Sequence, residues 1–227
     1  MNRRLPLLTE HPIFQCLNRT EMVLLLENIK TGRTEPRKYI YKDDNRLSQI
    51  FFVESGSVLV GKNLGKANEM IFQLSMKSTF LGLPSLILGE GNHQFAKAVS
   101  PLRYISCNKT IFKRLVLTNP KFHYAIQKQL GHDYFELEEK YKQLCNLKFH
   151  DRLKLFLEEI HNKNLNQTLP KKRIDLHITH LEIAKLLQGS RQSVTVNLAK
   201  MRDEKIIDYN RNWMKIIDLK ALRKWEL

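Results

Sequence analysis

Arg191, Gln192, Ser193 and Thr195 fall within five consecutive positions and bring together a guanidinium fork, an amide and two hydroxyls. Such groups donate and accept hydrogen bonds, and the fork and the amide match paired acceptors and donors on base edges in the major groove. Val194, Leu198 and Met201 recur at helical spacing through the same stretch, which turns an apolar face inward and leaves the polar residues outside. Ser190 stands just before them as a helix cap. Upstream, Thr179 and Glu182 have capping-box spacing, and Ile183, Ala184 and Leu187 supply a second inward face. Gln188-Gly189-Ser190 interrupts the pattern. The segment ITHLEIAKLLQGSRQSVTVNLAKM at 178–201 therefore predicts two short helices joined by a tight turn, the second placed as a recognition helix.

Other chemistries find little support. The sequence holds no phosphate-cradling glycine loop, no GxSxG, no HExxH and no paired-cysteine metal spacing, so an enzyme is not expected. Cys16, Cys107 and Cys145 are odd in number and far apart, which fits reduced thiols in the cytoplasm. No apolar run approaches the roughly 20 residues of a membrane span, and the N-terminus lacks the apolar stretch of a secretory signal. A formal net charge of +15 over 227 residues attracts polyanions, and double-stranded DNA is the partner that agrees with the 178–201 segment.

The elements that must position that segment differ along the chain. A short helical entry is predicted before residue 30, with Thr20 capping EMVLLLENI. From Arg33 to about Ser106, short β-like runs alternate with turns: YIY at 39–41, a turn at KDDNR, then QIFFVESGSVLVG at 49–61. In the last, Ser55-Gly56-Ser57 reads as a hairpin or a tight corner. EMIFQL at 69–74 and LRYIS at 102–106 are further strands, and the set predicts an antiparallel sandwich or barrel. Thr118-Asn119-Pro120 opens a long helix, along which Phe122, Ile126, Leu130, Tyr134, Leu137, Tyr141 and Leu144 form a stripe. Such a helix buries its stripe on a neighbouring domain or on a second copy of itself, and palindromic DNA favours the homodimer. Another amphipathic helix is predicted at 152–160, followed by a polar loop at 162–173. At 205–219 two strands around Asn210-Arg211-Asn212 form the wing of a winged helix with Arg211 at its tip.

With these elements in place, the chain resembles the Crp/Fnr family of bacterial transcription regulators nearly end to end. FFVESGSVLV is similar to the family's β-roll signature and TNPKFHYAIQKQL to the start of its central dimer helix. ITHLEIAKLLQGSRQSVTVNLAKMRDEKII is similar to its helix-turn-helix, with SRQSVT the most specific piece. The resemblance implies an α+β fold: an N-terminal, jelly-roll-like antiparallel β-roll that senses a signal (1–117), a dimerisation helix (118–147) and a C-terminal winged helix-turn-helix (148–227). It implies a homodimer that binds palindromic promoter sites and meets RNA polymerase. Arg191 falls on the family arginine that contacts guanine. Gln192 stands where glutamate is usual and favours adenine, and Val196 replaces a second arginine and leaves contact with a thymine methyl. Thr195 completes the base-reading set. Thr179, Ser190, Ser193, Lys200 and Arg211 are expected at phosphates. Asn197 stands where an apolar residue is usual, and Gln188 where the turn glycine is usual.

Members that bind cyclic nucleotides carry a glutamate for the ribose and an arginine for the phosphate. Here the corresponding segments read Phe80, Leu81, Gly82, Leu83 and Gln94, Phe95, Ala96, so Phe80 and Gln94 replace the two charged residues. A buried phosphate without a charge partner is costly, and cyclic AMP binding of the usual kind is not expected. The fill at Phe80 and Phe95 reads as core. Cys16 stands alone near the N-terminus, which excludes the family's iron–sulfur cluster. Haem on His93, His123 or Cys107 is not expected, no metal site is assigned, and His177 and His180 read as polar residues near phosphate. Cys145 reads as a packing residue. A competing reading, a signalling module whose helix-turn-helix no longer reads DNA, rests on Val196 and Asn197 alone.

Overall fold

The computed structural model describes residues 8, 11–42, 48–65, 69–76, 78–88, 94–165 and 173–226. Helix α1 (Arg19–Glu27) starts at Asn18, whose side chain accepts from the Glu21 N–H while the Glu21 carboxylate accepts from the Asn18 N–H. This reciprocal box moves the cap from Thr20, which lies in the first turn of the helix. Strand β1 (Ile29–Thr34) follows at once, earlier than the composition change at Arg33 indicates.

Strands β2 (Tyr39–Lys42), β3 (Gln49–Ser55), β4 (Val58–Asn63), β5 (Glu69–Ser75), β6 (Thr79–Leu81), β7 (Gln94–Ala98) and β8 (Leu102–Asn108) complete the roll. They form two antiparallel sheets in the orders β1-β8-β3-β6 and β2-β7-β4-β5. Because β3 and β4 lie in different sheets, Ser55-Gly56-Ser57 is a corner and not a hairpin. Gly56 takes a φ of +98°, and a Cβ there would stand 2.4 Å from the Pro101 carbonyl oxygen. The continuous apolar run of β3 has a packing cause. Phe51 and Val53 face the roll interior with Val58, Leu81 and Ala98, while Ile50 and Phe52 face the helices outside it. The turn expected at KDDNR lies, apart from Lys42, outside the described residues, as does His93.

A short helix α2 (Leu83–Leu88) lies between β6 and β7. Helix α3 (Lys109–Thr118) leaves β8 without a turn, capped by Asn108, and was not anticipated. The long α4 (Pro120–Asn146) begins as expected, with Asn119 Oδ1 accepting from the Phe122 N–H and Pro120 in the first turn. Its stripe divides in two. Ile126, expected at a dimer contact, is only 1% exposed and packs with Phe122 into the chain's own core, because α4 starts against α3 and the turn at Phe14–Cys16. Leu130 and Leu144 are half-buried, and Tyr134, Leu137 and Tyr141 are exposed. Cys145 is exposed too, so it does not pack within the chain.

Helix α5 (Phe149–Leu165), β9 (Ile174–Asp175), α6 (His180–Leu186), α7 (Arg191–Asp203), β10 (Ile207–Tyr209), β11 (Trp213–Ile216) and α8 (Leu219–Lys224) build a winged helix whose sheet runs β10-β11-β9. The polar loop expected from 162 begins as the last turn of α5, and residues 166–172 lie outside those described. The apolar core of this unit continues into the roll: Leu59, Ile71, Leu74, Phe95 and Val99 share one cluster with Ile183, Val194 and Leu198. The architecture is the expected α+β one, an antiparallel β-roll, a long helix and a winged helix-turn-helix.

Candidate nucleic-acid interface

Helix α6 is capped by Thr179, whose hydroxyl accepts from the Glu182 N–H at 3.1 Å, while the Glu182 carboxylate accepts from the Thr179 N–H at 2.8 Å. The Thr179 hydroxyl also donates to that carboxylate at 2.9 Å, so the box consumes the hydrogen bonds that a phosphate contact would use. The turn that follows is a Schellman motif. The Gly189 N–H donates to the Ala184 carbonyl at 2.9 Å and Gln188 sits at the left-handed position with a φ of +51°. Glutamine is accommodated there because its side-chain amide donates to the Lys185 carbonyl at 3.0 Å. The glycine one place later has a different cause. A Cβ on Gly189 would stand 2.2 Å from the Phe149 ring.

Arg152 is a positioning residue that the sequence reading did not single out. Its guanidinium donates to the Leu187 carbonyl at 3.0 Å, to the Gln188 carbonyl at 3.2 Å and to the Leu147 carbonyl. One side chain therefore ties the end of α4 to the turn before the recognition helix. Its signal was weak, because an arginine on an amphipathic helix usually serves a solvated face.

Helix α7 starts at Ser190, whose Oγ accepts from the Ser193 N–H at 2.9 Å and lies 2.8 Å from the Ser193 Oγ. Val194, Leu198 and Met201 are wholly buried. Arg191, Gln192, Thr195 and Val196 are exposed on the opposite side, with Val196 at 45%. Lys200, four residues after Val196 and seven after Ser193, lies on one flank of this face and is exposed. Asn197 is buried; its amide donates to the Ser193 carbonyl at 2.7 Å and its Oδ1 has no hydrogen-bond partner. His180 crosses from α6 to α7, with Nδ1 2.8 Å from Thr195 Oγ1, which itself donates to the Arg191 carbonyl at 2.9 Å. Burial and then the charge of Arg191 hold the His180 imidazole below its ordinary pKa of 6.5.

The wing turn is closed by Asn210, whose Oδ1 accepts from the Asn212 N–H at 2.8 Å and the Trp213 N–H at 3.1 Å. Arg211 is exposed at its tip. Beside it, Arg202 lies 5.4 Å over the Tyr209 ring and Arg173 4.1 Å over the Trp213 ring. The geometry thus brings the recognition helix, its capped N-terminus and a basic wing to one surface.

A cavity of about 770 Å³ lies between the roll, α4 and the winged helix, with Leu81, Leu83, Gln94, Lys140, Phe156 and Leu187 among its walls. Phe80, Leu81, Gly82, Leu83 and Gln94 of the degenerate cassette border it. Phe95 and Ala96, expected with them, do not: both are buried, because β7 lies inside its sheet with Phe95 against the winged helix and Ala96 in the roll interior. The Phe80 ring packs 4.9 Å from Phe52 and 5.9 Å from Phe112, as core fill. Lys140 donates to the Phe72 carbonyl at 2.9 Å, and burial pulls its amine down to about 8. Among the described residues, no group of three or more His, Cys, Asp or Glu could hold a metal ion, and no helix is long and apolar enough to cross a membrane.

A family model described as a Crp-like helix-turn-helix domain matches residues 151–225. The global nitrogen regulator of Synechococcus elongatus is 20% identical over 212 residues, covering 92% of this chain and 93% of that protein. The structure of FixK2 from Bradyrhizobium japonicum superposes with a TM-score of 0.74 at 14% identity, covering 86% of this chain and 96% of that one. CLP of Xanthomonas campestris, described as a c-di-GMP responsive global regulator, superposes with a TM-score of 0.69 at 17% identity, covering 88% and 99%. Residues 151–225 are thus a Crp-like helix-turn-helix domain, the chain has the fold of these regulators, and the protein is a DNA-binding transcription regulator.

Proposed function

We propose that the protein binds palindromic promoter DNA as a homodimer, with α7 in the major groove. Arg191 reads guanine, Gln192 adenine, and Thr195 and Val196 the neighbouring base edges. Ser190, Ser193, Lys200 and Arg211 meet phosphate, whereas Thr179 spends both of its donors on Glu182 and is not among these contacts. The carrying observation is the division of α7, with Val194, Leu198 and Met201 fully buried and the proposed readers exposed opposite them. Chain organisation follows the same lines: a sensor at 1–117, a dimer helix at 118–147 and a DNA-binding unit at 148–227. Leu130, Tyr134, Leu137, Tyr141 and Leu144 form the contact between the two α4 helices, and RNA polymerase is the further partner at the promoter. The protein acts in the cytoplasm and catalyses no reaction.

A signal received at the cavity shifts α4 and sets the two recognition helices about one DNA turn, roughly 34 Å, apart. Cyclic AMP held in the usual way is not that signal, since Phe80 is committed to the aromatic core and Gln94 carries no charge for a phosphate. Neither an iron–sulfur cluster nor haem is assigned. Selection of bound sequences from a random duplex pool tests the reading, with enrichment of a palindrome expected. Arg191→Ala then weakens binding to that palindrome by about 1–3 kcal/mol and relaxes one base pair per half-site. Equal losses on palindromic and scrambled duplexes would remove Arg191 from the readers.

A further inference from the structure

We propose that His180 is a specificity-determining positioning residue: it keeps the Thr195 hydroxyl engaged in hydrogen bonds within the chain, so that Thr195 meets DNA through its methyl group and, with Val196, selects thymine. The inference rests on the placement of α7 in the major groove proposed above.

Hydrogen-bond directions carry the argument. The Arg191 carbonyl can only accept, so the Thr195 hydroxyl, 2.9 Å away, spends its one proton there. His180 Nδ1, 2.8 Å from the same oxygen, must then carry the ring proton and donate it. The hydroxyl is thus engaged as donor and as acceptor before any DNA arrives. The ring is itself held in place: its centroid lies 5.9 Å from that of Tyr209 on wing strand β10, and Arg202 covers the same tyrosine. Burial together with Arg191 disfavours a second proton on the imidazole, which keeps it in the neutral form. With the hydroxyl so engaged, what the exposed Thr195 has left to offer is its methyl group, next to the half-exposed Val196. The C5-methyl of thymine is the apolar feature of the major groove that such a surface recognises.

The test uses the full-length protein, selection from a random duplex pool, and titration on the selected site. Thr195→Val removes the hydroxyl and keeps a methyl, and it is expected to select the same sequence with affinity within about twofold. Replacing the selected thymine by uracil, which lacks the methyl, is expected to weaken the wild type and Thr195→Val about fourfold, the equivalent of one lost methyl contact. His180→Ala frees the hydroxyl and loses the thymine preference at that base pair alone. His180→Asn, whose amide can donate near the position of Nδ1, restores it, and this rescue separates positioning from a general loss of folding. The inference is overturned if Thr195→Val abolishes the preference or if the uracil duplex binds the wild type as tightly as thymine. Arg191→Ala tells the two levels apart. If it relaxes its own base pair while the Thr195 results fail, only the role of His180 falls; if it leaves the selected sequence unchanged, the groove placement falls and this inference with it.

Discussion

Gln188 and Gly189 show how single positions shape the recognition turn. Gln188 holds a left-handed φ of +51° that glycine adopts at no steric cost, and it is supported by one amide bond to Lys185. Gln188→Gly is therefore expected to raise stability by roughly 0.5–1 kcal/mol in urea unfolding, the relief of strain exceeding the glycine entropy. Gly189 answers to contact and not to its own torsions. Gly189→Ala drives a methyl into the Phe149 ring and is expected to cost about 1–3 kcal/mol. Phe149→Leu in the same chain should recover part of that loss, and strict additivity of the two changes in a double-mutant cycle would contradict the contact. Two adjacent residues thus exchange the usual parts of the turn, a change visible in the sequence whose cause, the packing of Phe149, was not.

Helix α4 is one element with two environments. Its first two turns sit in the core through Phe122 and Ile126, whereas Tyr134, Leu137 and Tyr141 leave a stripe uncovered. Leu137 is 55% exposed, so a lysine there costs the single chain little. Leu137→Lys is expected to leave the unfolding of the chain nearly unchanged while shifting sedimentation from dimer to monomer, with loss of palindrome binding. A dimer that persists would move the contact elsewhere. Periodicity made the helix and its start legible, because a cap, a proline and a stripe are local signals. It could not say where the stripe changes partner, since Ile126 and Leu137 look alike until α3 and the turn at Phe14–Cys16 are in place.

Across the whole molecule, the roll and the winged helix are joined by charge as well as by apolar packing. Lys97 on β7 donates to Glu182 on α6 at 2.6 Å, and its ammonium lies 5.8 Å from the centre of the Tyr39 ring, whose hydroxyl donates to Glu69. Burial pushes the Glu182 carboxyl up, but Lys97 and Thr179 outweigh it and hold the group below its ordinary 4.5. With its pKa depressed in the folded chain, Glu182 contributes stability that is present above about pH 4.5 and is lost as pH falls through the folded value. Lys97→Met leaves that carboxylate buried without its cation and is expected to lower stability at pH 7 by about 2–3 kcal/mol. The gap between variant and wild type narrows in unfolding curves taken below pH 4.5, and a gap independent of pH would detach the effect from Glu182.

By itself, the sequence determined the local elements and which face of α7 is buried and which exposed. Caps at Thr179, Ser190 and Asn119, and the apolar spacing of Val194, Leu198 and Met201, act within a few residues of themselves. The tertiary structure alone decided which long-range partner each side chain found. It sent Phe80 to the aromatic core, buried Phe95 against the winged helix, and set Arg152 on the recognition turn, Lys97 on Glu182 and His180 on Thr195. The physical reason is range. A cap or a stripe is satisfied by neighbours in the chain, but a buried charge or a shared hydroxyl is satisfied only by whatever the fold brings within about 3 Å.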